Sequence, residues 1–247
     1  MPRDPRELAS AWKNFQRHTY TAPSPDLAPY VDQYWSVTWD YPEPYQQKIV
    51  PHPHIHLTFQ DNNATINGVR TRFHHKLLAG NGSVFGIRFH PGCFRPFLNH
   101  PISQITNKTL DATTLFGPPP PSPTTVEAAE TYLRQHLPPP DPRAQEAAAI
   151  VNTIATTPTL SRVEAVAQAH NTTVRQLQRL FADYVGVGPK WVIRRYRLHE
   201  VTQRLSTGDQ INWSTLATDL GYADQPHFTR DFKSLFGEPP TTYAARY

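Results

Sequence analysis

Residues 177–189 have the sequence LQRLFADYVGVGP. Its pattern recurs at residues 228–240, FTRDFKSLFGEPP. An apolar residue, an arginine, a phenylalanine, a glycine and a proline all return at a constant shift of 51 residues. Five matched positions at fixed spacing indicate an internal repeat, in which one supersecondary unit occurs twice.

Each copy has the pattern of an amphipathic helix that ends at a glycine. In the first copy, Leu177 and Phe181 lie four residues apart and therefore on one face, whereas Arg179 points elsewhere and is free to meet a partner. Gly186 stands where a left-handed C-cap would end the helix, and Pro189 suits the first turn of the next one. The second copy predicts the same structure at the equivalent positions.

A shorter helix is predicted in front of each copy. Residues 161–164, SRVE, match a capping box that opens a helix through Ala169, and residues 170–172 form a tight turn. Ahead of the second copy, residues 212–217 and a turn at residues 221–222 repeat this arrangement. A short helix, a tight turn and a second helix with exposed polar side chains make a helix-turn-helix, whose second helix enters the DNA major groove.

On these motifs, residues 143–247 resemble the two-headed DNA-binding domain of the AraC/XylS family of bacterial transcription regulators. Residues 171–172, Asn-Thr, depart from the Gly-Tyr that is common in the family, which affects the expected geometry of the first turn. Residues 87–94, followed by residues 101–102, resemble an uncharacterised domain that is often found before DNA-binding domains of this family. This resemblance implies a regulatory, sensor-like role. The motifs of the reader are residues 175–181 and 186–190 in the first half, and residues 216–217, 221–225, 227–228, 230, 232–233, 236–237 and 239–240 in the second.

The resemblance implies which residues contact DNA. A helix over residues 174–184 and a helix that starts near residue 225 would enter successive major-groove segments, where arginine binds guanine and glutamine binds adenine. A connecting helix over residues 189–205 would hold the two helix-turn-helix units, called the first and second readers below, roughly 34 Å apart. Arg197 within this helix would brace the helices. The candidate contacts are Arg175, Gln178, Arg179, Gln225, His227, Thr229 and Arg230 on the recognition helices, and Lys190, Arg194 and Arg195, as phosphate contacts, on the connecting helix.

An alternative is open for the two repeated arginines. Arg179 could form a salt bridge with Asp183 instead of reading a base. Arg230 could do the same with Asp224 or Glu238. Base contact is the favoured interpretation for each of them.

Length and composition predict two domains in a cytoplasmic protein. A chain of 247 residues exceeds a typical single domain, and a net charge of +4 with a pI near 9.2 is compatible with a nucleic-acid partner. The polar N-terminus has no signal-peptide layout, and no apolar stretch approaches the roughly 20 residues of a membrane span. The single cysteine excludes an intrachain disulfide framework.

Two proline-rich tracts suggest where the domains meet. Residues 117–123 and 138–142 cannot form a helix or a central strand, and they bracket a helical segment over residues 124–137. Such tracts act as stiff spacers, so the boundary is predicted at residue 142. This gives a β-rich sensor or regulatory domain over residues 1–142 and a DNA-binding domain over residues 143–247.

The N-terminal half has the pattern of a sheet. Residues 30–39, 55–59 and 83–89 are rich in aromatic and β-branched residues, with alternation clearest in residues 55–59. Asn67-Gly68 is typical of a two-residue hairpin turn. The predicted fold class is α+β: a mainly antiparallel, β-barrel-like N-terminal domain with helices, and an all-α C-terminal domain of two helix-turn-helix units joined by a long helix.

Residues 51–56, PHPHIH, are the candidate for metal chemistry. Residues two apart on a strand share a face, so His52, His54 and His56 could converge on Zn, Cu, Fe or Ni. The alternative is a strand edge with solvated or hydrogen-bonded histidines, which the prolines at residues 51 and 53 favour. Cupin-type metal enzymes have a glutamate shortly after a pair of histidines with this spacing, and this chain has Gln60 there instead. Further ligands could come from His74, His75, His90 and Cys93.

Two other features of this half have packing as their favoured interpretation. Cys93 could sense thiol redox state, but a lone buried cysteine is more often a small apolar residue. Some aromatic residues could line an effector pocket, although the core is the expected place for most of them. These are Tyr30, Tyr34, Trp35, Trp39 and Phe59.

The sequence therefore predicts a sequence-specific DNA-binding transcription regulator, controlled by an effector or by dimerisation through the N-terminal domain. It is not expected to be an enzyme, and neither catalytic residues nor a cofactor are predicted beyond a metal ion at the histidine cluster. The alternative, which rests on that cluster, is a metal-dependent enzyme domain fused to a DNA reader. The candidate partners are double-stranded DNA, a small-molecule or metal effector, RNA polymerase and a second copy of the chain, with no membrane.

Overall fold

The computed structural model describes residues 14–118, 125–206 and 211–245. The polar N-terminal segment and most of the first proline tract, about which the sequence made predictions, lie outside the described residues. A β-rich part precedes a helical part, so the predicted α+β class is confirmed. None of the helices in the described ranges has the length and apolar composition that crossing a membrane requires.

The N-terminal part is built on one six-stranded sheet. Its strands are β1 (Gln16–Thr21), β2 (Val31–Ile49), β3 (His56–Gln60), β4 (Asn63–Asn67), β5 (His74–Phe89) and β6 (Thr109–Asp111). They lie in the order β1-β2-β5-β3-β4-β6, and each of these pairings is antiparallel. The long strands β2 and β5 pair along most of their length and form the centre of the sheet.

Alternation along the strands gives the sheet two different faces. On β3, Leu57 and Phe59 enter the main hydrophobic core, whereas Thr58 between them lines a cavity on the other face. On β5, Ile87 and Arg88 divide in the same way. The core face packs against two 3₁₀ turns, Arg95–Phe97 and Ile102–Ile105, and against α1 (Thr113–Phe116) and α2 (Val126–Arg134).

The hairpin predicted at Asn67-Gly68 is wrong. The tight turn lies earlier, between β3 and β4, where Asp61 and Asn62 have φ of 51° and 61°. Two successive positive φ values make the kind of turn that matches the twist of an antiparallel pair. Gly68 serves a different purpose, because a Cβ there would lie 2.0 Å from the carbonyl oxygen of Ile105. Glycine is required by the close approach of two backbones, which local sequence does not reveal.

The C-terminal part consists of seven helices in the described residues. They are α3 (Pro142–Thr156), α4 (Val163–Ala169), α5 (Val174–Leu180), α6 (Pro189–Ser206), α7 (Trp213–Asp219), α8 (Gln225–Phe236) and α9 (Pro240–Ala244). A π-helical turn, Phe181–Val185, follows α5. Helices α4 and α5 form the first helix-turn-helix, α7 and α8 form the second, and α6 connects them, as the repeat predicted.

The ends of the recognition helices follow the repeat. Gly186 and Gly237 have φ of 87° and 83°, so both are left-handed caps, as predicted. The capping box predicted at residues 161–164 is wrong: α4 has Arg162 as its N-cap, without a side-chain capping bond, so Glu164 falls one position too early. A complete capping box lies instead at the start of α5, between Thr173 and Gln176.

The two turns within the helix-turn-helix units have the same geometry despite their different sequences. Asn171 has φ of 50° where Gly221 has φ of 73°, and asparagine is among the residues that tolerate this region. The next backbone N–H donates to the first helix in both units, from Thr172 to Ala167 and from Tyr222 to Ala217, each at 2.9 Å. The departure at residues 171–172 therefore leaves the turn intact.

The main hydrophobic core runs across residue 142. It joins the core face of the sheet to α3, α4, α5 and the start of α6. The second helix-turn-helix has a core of its own, to which the N-terminal part contributes Val50. Helix α3 begins at the predicted boundary, with Asp141 as N-cap and Pro142 in its first turn; the division into domains at residue 142 stays a prediction.

Candidate DNA interface and ligand cavity

The first recognition helix, α5, buries its apolar face and exposes its polar face. Leu177 is 1% exposed and Phe181, in the following turn, is fully buried, as the amphipathic pattern predicted. Arg175, Gln178 and Arg179 are exposed. The helix therefore presents the three side chains that the sequence proposed as DNA contacts.

The second recognition helix, α8, has the same division. Phe228 and Phe232 are fully buried. Among the candidate contacts, Gln225, His227 and Arg230 are exposed and Thr229 is half-buried. The backbone N–H of residue 227 donates to the N-cap carboxylate of Asp224 at 2.6 Å, and the imidazole packs edge-on against the ring of Tyr222.

The carboxylates that could have neutralised the repeated arginines have other partners. Asp183 pairs with Arg95 at 2.8 Å, Asp224 caps α8, and Glu238 pairs with Lys48. Within the described ranges, Arg179 and Arg230 form neither an ion pair nor a side-chain hydrogen bond. Their guanidinium groups therefore remain available to a partner.

The basic residues of α6 have three different environments. Lys190 is exposed. Arg194 is half-buried, forms an ion pair with Asp231 at 2.8 Å and hydrogen bonds to Ser234, so its charge is used to hold α8. Arg195 is fully buried, and the prediction that it contacts phosphate is wrong.

Arg195 connects the two parts of the molecule instead. Its Nε donates to the carbonyl oxygen of Pro51, and its Nη2 lies 2.6 Å from Nε2 of His52. Adjacent positions on a helix point in different directions, so Arg194 faces the second reader while Arg195 faces the N-terminal part. Arg197 joins the two readers, since it donates to the carbonyl oxygen of Ser161 at 2.7 Å and lies over the ring of Tyr222. This geometry fits its expected bracing role.

A cavity of about 450 Å³ lies on the polar face of the sheet. One part of its wall is a small hydrophobic cluster that includes Trp39, Leu78 and Val84. Trp35 extends this surface, and its Nε1 donates to Nδ1 of His56 at 3.1 Å across the intervening strand. That contact needs Gly86, because a Cβ there would lie 2.2 Å from the indole.

The remainder of the wall is polar and basic. The charged lining residues are Arg70, Lys76 and Arg88, against one carboxylate, Asp61. Burial lowers the pKa of Lys76, whose ammonium donates to the amide oxygen of Gln60 at 2.6 Å. Burial also lowers the pKa of His74. This basic lining makes the cavity a candidate ligand site.

The imidazoles of His52, His54 and His56 all border the cavity but do not converge. They bind different partners: Arg195, the carbonyl oxygen of Phe89 and the indole of Trp35. In the part of the chain that the structure describes, no three His, Cys, Asp or Glu residues form a group that could hold a metal ion. The predicted convergence is wrong because residues 50–55 precede β3, so strand alternation does not apply to them.

The chain matches two family models. Residues 19–111 match a domain of unknown function, DUF6597, and residues 166–246 match a helix-turn-helix domain. The second match spans both recognition helices, which expose equivalent arginines, and it supports a DNA-binding transcription regulator.

Solved structures give distant likenesses to this chain. ToxT from Vibrio cholerae O395 is 12% identical, with a TM-score of 0.43, over 94% of this chain and 98% of that chain. The same protein bound to (E)-4-(8-methylnaphthalen-1-yl)but-3-enoic acid is 11% identical, with a TM-score of 0.44, over 94% and 99%. The C-terminal domain of AraT, a response regulator from Geobacillus stearothermophilus, is 21% identical, with a TM-score of 0.37, over 40% and 83%. No curated protein matches significantly.

The other candidate residues from the sequence lie either in the core or at the cavity. Cys93 is buried, and burial raises the pKa of its thiol to about 12, which fits an apolar packing residue. Trp35 and Trp39 line the cavity, whereas the other predicted aromatic residues pack in or against the main core. Of the remaining candidate ligands, His74 lines the cavity, His75 is exposed, and His90 lies 3.9 Å from Asp32.

Sequence reasoning missed the basic residues of the cavity. Arg70 and Lys76 were not singled out, although Lys76 lies two residues after His74 and therefore on the same face of β5. That alternation was visible in the sequence. The cavity that these residues line could not be predicted from it, because the strands that complete the wall come from distant parts of the chain.

Proposed function

We propose that the protein regulates transcription by inserting α5 and α8 into successive major-groove segments of one operator. The observation that carries the proposal is the pair of exposed arginines, Arg179 and Arg230, at the same position of the repeat and without a partner in the described residues. A buried, desolvated face on each helix fixes its position, and a free guanidinium can then read guanine through two hydrogen bonds.

The neighbouring side chains divide into base and phosphate contacts. Arg175 and Gln178 on α5, and Gln225 and His227 on α8, share the exposed faces of the arginines and are proposed to reach base edges. Lys190 and Thr229 are proposed to contact phosphate, which positions the protein without specifying sequence. The pairing of Arg194 with Asp231 supports a role in orienting α8 rather than a DNA contact.

Replacement of Arg179 or Arg230 by alanine tests this proposal. Each variant is expected to lose about 1–3 kcal/mol of binding free energy on duplexes selected by the wild type, and to accept other bases at one position. Fluorescence anisotropy on selected and single-base-substituted duplexes measures both effects. The matched control is Arg72→Ala, which removes the same charge from an exposed site on the N-terminal part. Equal losses in all three variants, with unchanged base preference, would contradict specific reading.

The N-terminal part is proposed to control this binding through the cavity. Val50, Pro51 and His52 line the cavity and also contact the C-terminal part: Val50 lies in the core of the second reader, and the other two bind Arg195 of α6. A molecule that fills the cavity touches the segment that positions the second reader. The metal-dependent enzyme has no comparable support, since its histidines do not converge. A second copy of the chain and RNA polymerase stay predicted partners.

A further inference from the structure

We infer that the cavity binds a small organic anion, with its acid group beside Arg70, His74 and Lys76 and its apolar body against Trp35 and the neighbouring hydrophobic cluster. The inference rests on the proposed control by an effector and specifies the chemical class of that effector. It is carried by the charged residues that line the cavity, by the buried Nδ1 of His74 among them and by the apolar part of the same lining.

Of the three cations that line the cavity, the half-buried Arg70 and Lys76 form no ion pair within the described residues. The guanidinium of Arg88 already pairs with Asp32, which lies outside the cavity lining. Lys76 donates to the neutral amide of Gln60, and no carboxylate of the described residues lies within ion-pairing distance of it. Asp61 acts on it only at longer range. Because a partly buried charge without an ion-pair partner is costly, an anion next to Lys76 would stabilise the folded protein.

His74 indicates where the acid group lies. Its Nδ1 is buried and has no hydrogen-bond partner among the described residues, which is rare for a buried polar atom. Burial, followed by the charges of Arg70, His75 and Lys76, lowers the pKa of this imidazole. Of these basic groups, Arg70 and Lys76 line the cavity next to His74, so the potential at this part of the wall is positive. An acid group there accepts hydrogen bonds from these groups and removes their mutual repulsion.

The rest of the cavity selects the body of the ligand. Trp39, Leu78 and Val84 belong to a hydrophobic cluster beside the cavity, and Trp35 lies against that cluster. A volume of about 450 Å³ is in the range of small-molecule sites, which are mostly apolar with a few placed polar groups. A carboxylate with one or two aromatic rings fits this description. A cation would be repelled by the basic residues of the lining. A fully polar sugar would leave the apolar part of the lining without an apolar contact.

The experiment compares matched acids and amides on the full chain by isothermal titration calorimetry without DNA. The probes are naphthalene-2-carboxylate and indole-3-acetate, each against its carboxamide. Both acids are expected to bind at least about tenfold more tightly than their amides, since a hydrogen-bonded charge is worth more than a neutral group of the same shape. Because DNA is absent, the result is independent of whether Arg179 and Arg230 read bases.

Substitution of Lys76 tests whether this residue binds the acid group of the ligand. Lys76→Met is expected to remove the preference for acids, Lys76→Arg to retain it, and the matched control Lys108→Met, at an exposed site, to leave it unchanged. Near-UV circular dichroism checks that each variant is folded. If Lys76→Met does not fold, Lys76→Arg still tests whether a cation at this position gives the preference for acids. Equal binding of acids and amides, an unchanged preference in Lys76→Met, or no binding of either acid up to about 10 mM would each overturn the inference.

Discussion

At the scale of single residues, His54 links the stability of the N-terminal part to pH. Its Nδ1 donates to the carbonyl oxygen of Phe89 at 3.0 Å. Burial, and then the charge of Arg88, lowers its pKa to about 4, with His90 acting in the same direction and Asp32 opposing both. The ring of His52 lies beside it at 6.2 Å. The imidazole is therefore neutral in the folded protein at neutral pH.

The free energy of unfolding is expected to fall as pH decreases from 6.5 to 4. In this window the unfolded chain protonates His54, with an ordinary pKa near 6.5, while the folded chain does not, so protons favour unfolding; above pH 6.5 the effect is absent. The loss at pH 5 is about 2 kcal/mol relative to pH 7.5. Urea unfolding at both values of pH measures it.

Two substitutions separate this residue from other acid-sensitive groups. His54→Asn keeps a donor for the carbonyl oxygen of Phe89 and removes the titrating group, so its stability should depend less on pH by that amount. His75→Asn, at an exposed position on β5, should retain the wild-type dependence. An identical pH dependence in His54→Asn and wild type would show that the imidazole is not the group responsible.

At the scale of single elements, the capping of α5 distinguishes the structure from the sequence pattern. Thr173→Ala removes an N-cap whose side chain accepts from the N–H of Gln176, and it should lower the free energy of unfolding by about 1 kcal/mol. Ser161→Ala alters the residue that the sequence pattern assigned to a cap but that makes no capping bond, and it should change stability by less than about 0.5 kcal/mol. Urea unfolding measures both, and the reverse order would favour the sequence pattern.

What the sequence predicts correctly depends on local chemistry. The helices α5 and α8, their glycine caps and the helix starts at Pro189 and Pro240 all follow from a few adjacent side chains. The wrongly predicted hairpin at Asn67-Gly68 shows the limit of such local prediction. Glycine is required at residue 68 because the backbone of Ile105, nearly forty residues further along the chain, approaches it closely.

The same limit applies to the candidate sites. The exposed arginines of the readers could be predicted because helix periodicity separates them from the buried face. Arg195 could not, since its burial depends on Pro51 and His52, which pack against α6 from the N-terminal part. The cavity could not be predicted either, because its wall is assembled from β1 to β5 and from the segment that precedes β3.

At the scale of the whole molecule, both recognition helices end against the N-terminal part. Oγ1 of Thr106 donates to the carbonyl oxygen of Gly186 at 2.6 Å, behind the first helix. Behind the second, Phe73 lies against Gly237, and Lys48 pairs with the adjacent Glu238. The polar faces of both helices remain exposed in this arrangement. The N-terminal part therefore supports the readers from behind without covering the surfaces proposed to meet DNA.

The pair of Lys48 and Glu238 should contribute measurably to this support. Its side chains are only 17% and 14% exposed, so solvent screens the attraction less than in a surface pair. A double-mutant cycle with Lys48→Met and Glu238→Gln is expected to give a coupling energy of about 1–2 kcal/mol. The matched control is the pair of Arg204 and Asp219, with side chains 42% and 46% exposed, which should give less than about 0.5 kcal/mol.

Salt separates a true contact between the two parts from a general effect of charge. Raising the ionic strength to about 1 M shortens the screening length to about 3 Å, so the coupling of the exposed control pair should vanish while most of the coupling between Lys48 and Glu238 persists. The second reader is attached to the N-terminal part by this pair, by Val50 and by Phe73, all close to the cavity wall. Equal and equally salt-sensitive couplings in the two pairs would mean that this attachment is loose, and a ligand in the cavity would then have no rigid route to α8.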